Sequence, residues 1–101
     1  MLTHAQQRAE KHMHVSIGYF EETEILMQIL HRRGAVIEKS ADAKGQEIWQ
    51  VYYMNKVFRV VFDPEVLHSI ITVKVPPRRK EIVPEMLTLV RKSRKYFRDM
   101  E

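Results

Sequence analysis

Cysteine is absent from the chain. No disulfide framework and no thiolate zinc site can be built without it, which suits a cytoplasmic protein. Glycine is scarce, with three residues in 101. None stands in a phosphate-cradling loop, a nucleophile elbow, a dinucleotide fingerprint or an EF-hand pattern, so no nucleotide cofactor is expected. No apolar run approaches the roughly 18 residues that cross a bilayer. The N-terminus, MLTHAQQRAEKHMHVS, is polar and lacks the apolar centre of a secretory signal. One spacing, His12-x-His14, suits a metal in an extended segment. No carboxylate motif accompanies it, and no metal is expected.

What is present describes one α+β domain over residues 1–101. Hydrophobic residues make up 45% of the chain and charged residues 30%, the balance of an ordinary soluble globule. The net charge of +4 is unevenly placed. Residues 1–77 carry nine Lys/Arg and nine Asp/Glu, whereas residues 78–101 carry eight Lys/Arg and four Asp/Glu. The excess lies in Arg78, Arg79 and Lys80, and in Arg91, Lys92, Arg94, Lys95 and Arg98. Such a segment attracts nucleic acid by neutralising phosphates. The competing reading is the solvated face of a surface helix.

Hydrophobic periodicity predicts seven elements. Thr3 is a candidate cap for a short helix over 3–13. Residues 20–33 place Ile25, Leu26, Ile29 and Leu30 at helical spacing, with Glu21, Glu22 and Glu24 toward the positive end of the dipole and Gly34 as a stop. Strands are expected at 35–40, 47–54, 56–62 and 69–75. Pro76-Pro77 ends the last of these, and Pro84 opens a helix over 83–98 with an apolar stripe of Val83, Met86, Leu87, Val90 and Phe97. Short links between strands predict an antiparallel sheet of about four strands, with the N-terminal helices and the C-terminal helix packed against one face.

Alternation along the strands sorts side chains between the two faces. The expected core face holds Trp49, Val51, Tyr53, Phe58, Val60, Phe62, Ile71, Val73 and Val75. The opposite face collects Gln50, Tyr52, Arg59, Thr72 and Lys74, a cationic and hydroxyl-bearing surface. Every antiparallel sheet with one wet side has a polar face, so this pattern alone does not decide between solvation and chemistry. On the first helix, His4, Arg8 and either Lys11 or His12 share a side. Histidine and arginine together suit a phosphodiester, the imidazole moving protons and the guanidinium holding phosphate. A solvated helix face explains the same spacing. His14 suits helix-end chemistry, His31 suits the end of the second helix, and His68 falls in a loop.

The succession THAQQRAEKH, then an acidic-start helix ending RRGAVIEKS, then FRVVFDP and SIITVKVPP resembles the small domains of unknown function related to RelE-like toxins, in the wider barnase–colicin–RelE ribonuclease group. The likeness spans about residues 3–77, and the basic segment 78–101 lies outside it. The resemblance implies a helix-backed antiparallel sheet and metal-independent RNA cleavage by attack of a ribose 2′-hydroxyl on the neighbouring phosphate. It implies His4 as acid or base, Arg8 and Arg59 as a phosphate clamp, Thr72 and Lys74 as auxiliary donors, and His12 as a second proton-transfer group. It also implies a toxin module or mobile element as the setting. The alternative is a non-catalytic module whose basic C-terminal helix binds nucleic acid or an acidic protein partner such as an antitoxin. A third reading is a homo-oligomer using the C-terminal apolar stripe and the six methionines.

Overall fold

The computed structural model describes residues 2–42, 44–65 and 70–91, and no side chain is described at Ile71. Helix α1 runs His4–Met13. Its entry is fixed by a reciprocal cap: the Thr3 hydroxyl accepts from the Gln6 N–H, and the Thr3 N–H donates to Gln6 Oε1, both at 3.1 Å. Ala5, Ala9 and Met13 follow one another on its buried side, and the two alanines let the helix lie close to the sheet. His14 ends α1 in the left-handed conformation, at φ 56°.

Helix α2 spans Tyr19–Leu30 and buries Ile25, Leu26 and Ile29. It is tied to α1 through Glu22, whose carboxylate accepts from the Thr3 hydroxyl and the Gln6 side-chain amide at 3.1 Å each. The chain leaves α2 through Arg32 and Gly34, both at positive φ. A Cβ at Gly34 would meet the Tyr52 carbonyl at 3.4 Å, so glycine serves both the turn and the close approach.

Strands β1 (Ala35–Lys39), β2 (Glu47–Tyr53), β3 (Lys56–Phe62) and β4 (Ile70–Lys74) form one antiparallel sheet in the order β1-β2-β3-β4. Met54 and Asn55, at φ 54° and 59°, make the two-residue turn between β2 and β3. That turn sets Val51 opposite Phe58, Trp49 opposite Val60 and Gln50 opposite Arg59. The main core lies between this sheet and the two N-terminal helices, with Trp49, Val51, Phe58, Val60, Phe62, Ile70 and Val73 facing Ala5, Ala9, Ile25 and Ile29.

Two expectations are corrected here. In β4 it is Ile70 that enters the core, and Val75 does not. The register slips between Val61 and Phe62, so that Thr72 pairs with Val61 but Ile70 with Phe62, and Ile71 is the extra residue of a bulge. Val75 is 59% exposed. The helices also do not share one face. After Pro77 the chain makes a 3₁₀ turn, Arg79–Glu81, and then α3, Pro84–Val90. This segment lies on the other side of the sheet, where Ile82, Met86 and Val90 bury Val57 and pack on Val36 and Tyr52. The rest of the helix expected over 83–98, including Phe97, lies outside the described residues.

Gln50 explains why α3 settles there. It is fully buried, and its primary amide acts as a short stretch of backbone. Nε2 donates to the Glu81 carbonyl at 2.9 Å, and Oε1 accepts from the Val83 N–H at 3.1 Å. Expected on an open surface, Gln50 is instead the polar pin of a second core.

Candidate functional site

The buried ridge of α1 rests on β4, and the adjacent ridge of the same helix therefore overhangs the sheet edge. That ridge is His4, Arg8 and His12, spaced one turn apart. Together with Thr72 and Lys74 it lines a shallow groove of about 310 Å³ whose floor includes Val73 and Val75. Five of the six residues anticipated for chemistry thus meet in one place. No carboxylate among the described residues lines the groove. Among the described residues, His4, Arg8, His12 and Lys74 make no ion pair. Arg8 and His12 are half-buried, and His4 and Lys74 are exposed, so the groove is wet and cationic.

Arg59 is the sixth, and it does not join them. It lies opposite Lys74 in the β3–β4 ladder, but its guanidinium turns toward β1 and the 3₁₀ turn. Arg59 Nε donates to Glu38 Oε2 at 2.9 Å, and a terminal nitrogen lies 3.6 Å from Glu81 Oε2. Glu38 is delivered by a β1 bulge, where the register moves from Ile37 opposite Trp49 to Lys39 opposite Ile48. The Gln50 amide also donates to Glu38, at 3.3 Å. The Glu81 carboxyl is held below its usual range, first by the Arg78 N–H that donates to it and then by the nearby charges of Arg59 and Arg78. With two carboxylates against it, Arg59 is a structural cation and not an open phosphate clamp. Sequence reasoning missed this network because Glu38 is brought in by a bulge.

The remaining candidates are dispersed. Arg78, Arg79 and Lys80 are exposed around the 3₁₀ turn, and Arg91 is exposed at the end of α3. Lys92, Arg94, Lys95, Arg98 and His68 lie outside the described residues. His14 is the exposed cap of α1. His31, exposed at the end of α2, borders a separate depression with Glu24 and Arg33. Met86 and Val90, expected to be available to a second subunit, are fully buried inside the chain. Among the described residues no three His, Asp or Glu side chains converge as a metal site, and no helix is long and apolar enough to cross a membrane.

Comparison with models of known protein families, with curated proteins and with solved structures finds no match to this chain.

Proposed function

We propose that the protein is a small RelE-like ribonuclease that cleaves RNA without a metal, and that the α1–β4 groove is its active site. The observation that carries this reading is the order imidazole, guanidinium, imidazole along one helix ridge, facing a lysine and a threonine in a groove that no carboxylate lines among the described residues. In-line displacement at phosphorus needs a base on the side of the nucleophile and an acid on the side of the leaving group. His4 and His12 are two helical turns apart, about 12 Å along the axis, with Arg8 midway. A phosphodiester seated on Arg8 has one imidazole toward its 2′-oxygen and the other toward its 5′-oxygen when both lean inward.

One imidazole takes the proton of the ribose 2′-hydroxyl. The 2′-oxygen forms a bond to phosphorus as the bond from phosphorus to the 5′-oxygen breaks, and the second imidazole protonates the departing 5′-oxygen. The products are a 2′,3′-cyclic phosphate and a 5′-hydroxyl. Arg8 and Lys74 offset charge on the non-bridging oxygens, and the Thr72 hydroxyl donates to them. This chemistry belongs to the cytoplasm, where such a protein meets RNA, and to a toxin module or mobile element.

Incubation with RNA in EDTA tests the reading. Cleavage with cyclic-phosphate ends is expected. It should fall by about 10²- to 10⁴-fold in His4→Ala and in His12→Ala, with both variants melting as the parent does. Cleavage that survives both substitutions rejects the site. Intact RNA with folded parent protein, in buffer and in a translating extract, rejects the activity.

The second reading, a non-catalytic module, draws on the exposed Arg78, Lys80 and Arg91 beside the basic residues that follow. It predicts binding without cleavage to nucleic acid, or to an acidic partner such as an antitoxin. Truncation after Arg91 is the appropriate test, because removal from Pro77 would also strip Ile82, Met86 and Val90 from the second core.

A further inference from the structure

Helix α3 covers only part of its side of the sheet. It packs on Val36, Tyr52 and Val57 and leaves Ile48 and Val61, which are cross-strand partners, half-buried. These two form the floor of a second depression, about 210 Å³, that Lys39 and Gln46 also line. Lys74 borders it too, and Lys74 lines the α1–β4 groove as well. The two depressions therefore share one wall residue, Lys74, on the β4 edge strand.

The chemistry of the second depression is specific in kind. The β-branched pair at the bottom offers an apolar surface against which the face of a nucleobase can pack. Lys39 and Lys74 are both exposed and place two ammonium groups at its rim. Among the described residues that line it the one carboxylate is Asp42, which is turned to its own loop: Oδ1 accepts from the Lys44 N–H at 2.8 Å and from the Gln46 N–H at 3.1 Å. Its charge is thus partly answered by backbone amides. The Gln46 side chain makes no hydrogen bond among the described residues, which leaves its amide available to both donors and acceptors on a base edge.

We infer that this depression is a subsite for the nucleotide next to the one whose phosphate is cleaved, with its base on Ile48 and Val61, its phosphate between Lys39 and Lys74, and its edge met by Gln46. The inference rests on the ribonuclease reading of the α1–β4 groove for the identity of the neighbouring site. It assigns the protein a single-stranded substrate, since a base paired in a duplex cannot lie flat on the sheet.

The test uses binding separately from cleavage. A fluorescein-labelled, 2′-O-methylated RNA oligonucleotide cannot be cut by 2′-oxygen attack and reports affinity by anisotropy. Lys39→Ala should weaken its binding several-fold and lower the slope of log affinity against log salt by about 0.7, the loss of one phosphate contact on a single strand. Gln46→Ala should change the preference among homopolymers while leaving the salt slope in place. Its loop is held by backbone bonds of Gln46, so the fold does not depend on the side chain. In the cleavage assay both variants should raise KM more than they lower kcat. If His4→Ala abolishes cleavage of natural RNA while Lys39→Ala and Gln46→Ala leave affinity, salt slope and base preference unchanged, the subsite is refuted and the groove stands. If the oligonucleotide responds to Lys39 and Gln46 but folded parent protein never cleaves RNA, the depression is a nucleic-acid site and the catalytic reading is what fails. Equal binding of duplex and single strand overturns the inference.

Discussion

The α1–β4 groove and the space beneath α3 both hold cations at a sheet surface, and they treat those cations in opposite ways. Lys74 and Arg59 even stand opposite each other in the β3–β4 ladder. Beneath α3, Arg59 has Glu38 at 2.9 Å and Glu81 at 3.6 Å, with Gln50 closing the remaining polar contacts. In the groove, His4, Arg8, His12 and Lys74 have no carboxylate among them in the described residues. Residue type alone does not separate the two regions. The difference is made by acids that other segments deliver, one through a bulge in β1 and one through the 3₁₀ turn after Pro77. A cation that is answered stabilises the fold, and a cation that is left unanswered is available to a ligand.

The largest expected effect is on activity in the groove. Arg8→Ala should cost about 10²-fold or more in kcat while stability changes by no more than about 0.5 kcal/mol, the usual range at a surface position. Beneath α3 the pattern reverses. Glu38→Ala leaves Arg59 and the Gln50 amide short of an acceptor and should destabilise the protein by about 1–3 kcal/mol, read as a fall in denaturation midpoint. Cleavage per folded molecule should be unchanged. Pairing the substitutions, as Glu38→Leu with Arg59→Met, should recover part of that loss, because an apolar pair removes the desolvation cost along with the attraction.

Gln50→Leu sharpens the comparison further, since it removes no charge. The Val83 N–H and the Glu81 carbonyl lose their partner, and a loss of about 1–3 kcal/mol is expected. Hydrogen exchange should rise selectively in α3, where the pinned segment detaches before the main core opens.

The smallest effect is acid sensitivity. The Glu81 carboxyl titrates below its ordinary value of 4.5 in the folded chain. A group depressed on folding contributes stability above its unfolded value, and that contribution disappears as pH falls through the folded value. The attachment of α3 should therefore weaken as pH drops below 4.5. In Glu81→Gln the same acid range should show a shallower decline from a lower starting stability. An unchanged decline would remove Glu81 from the network.

Much of this architecture is legible in the residues. Ile25, Leu26 and Ile29 mark α2 by their spacing. A two-residue link at Asn55, whether Met54-Asn55 or Asn55-Lys56, puts Gln50 and Arg59 on one face, and the structure chooses Met54-Asn55 and so pairs the two directly. Helical periodicity groups His4 and Arg8 with either Lys11 or His12; the structure selects His12, and their meeting with Thr72 and Lys74 follows once α1 rests on β4. What could not be read depends on single-residue irregularities. A bulge at Ile71 shifts Ile70 into the core, and a bulge at Glu38 delivers the carboxylate that claims Arg59. Neither carries a glycine or proline to announce it. The position of α3 was also hidden, because its stripe of Met86 and Val90 fits either face of the sheet. The choice is made by Gln50, a polar residue whose value lies in the backbone groups of Glu81 and Val83 that reach it only in the folded chain.

The most direct test of the account sets Arg8→Ala beside the Glu38→Leu, Arg59→Met double variant, measuring RNA cleavage in EDTA and melting temperature on the same preparations. The account predicts a crossed result: Arg8→Ala melts like the parent and does not cleave, whereas the double variant melts differently and cleaves like the parent. Loss of cleavage in the folded double variant, with cleavage kept in Arg8→Ala, would move the site beneath α3 and contradict the account.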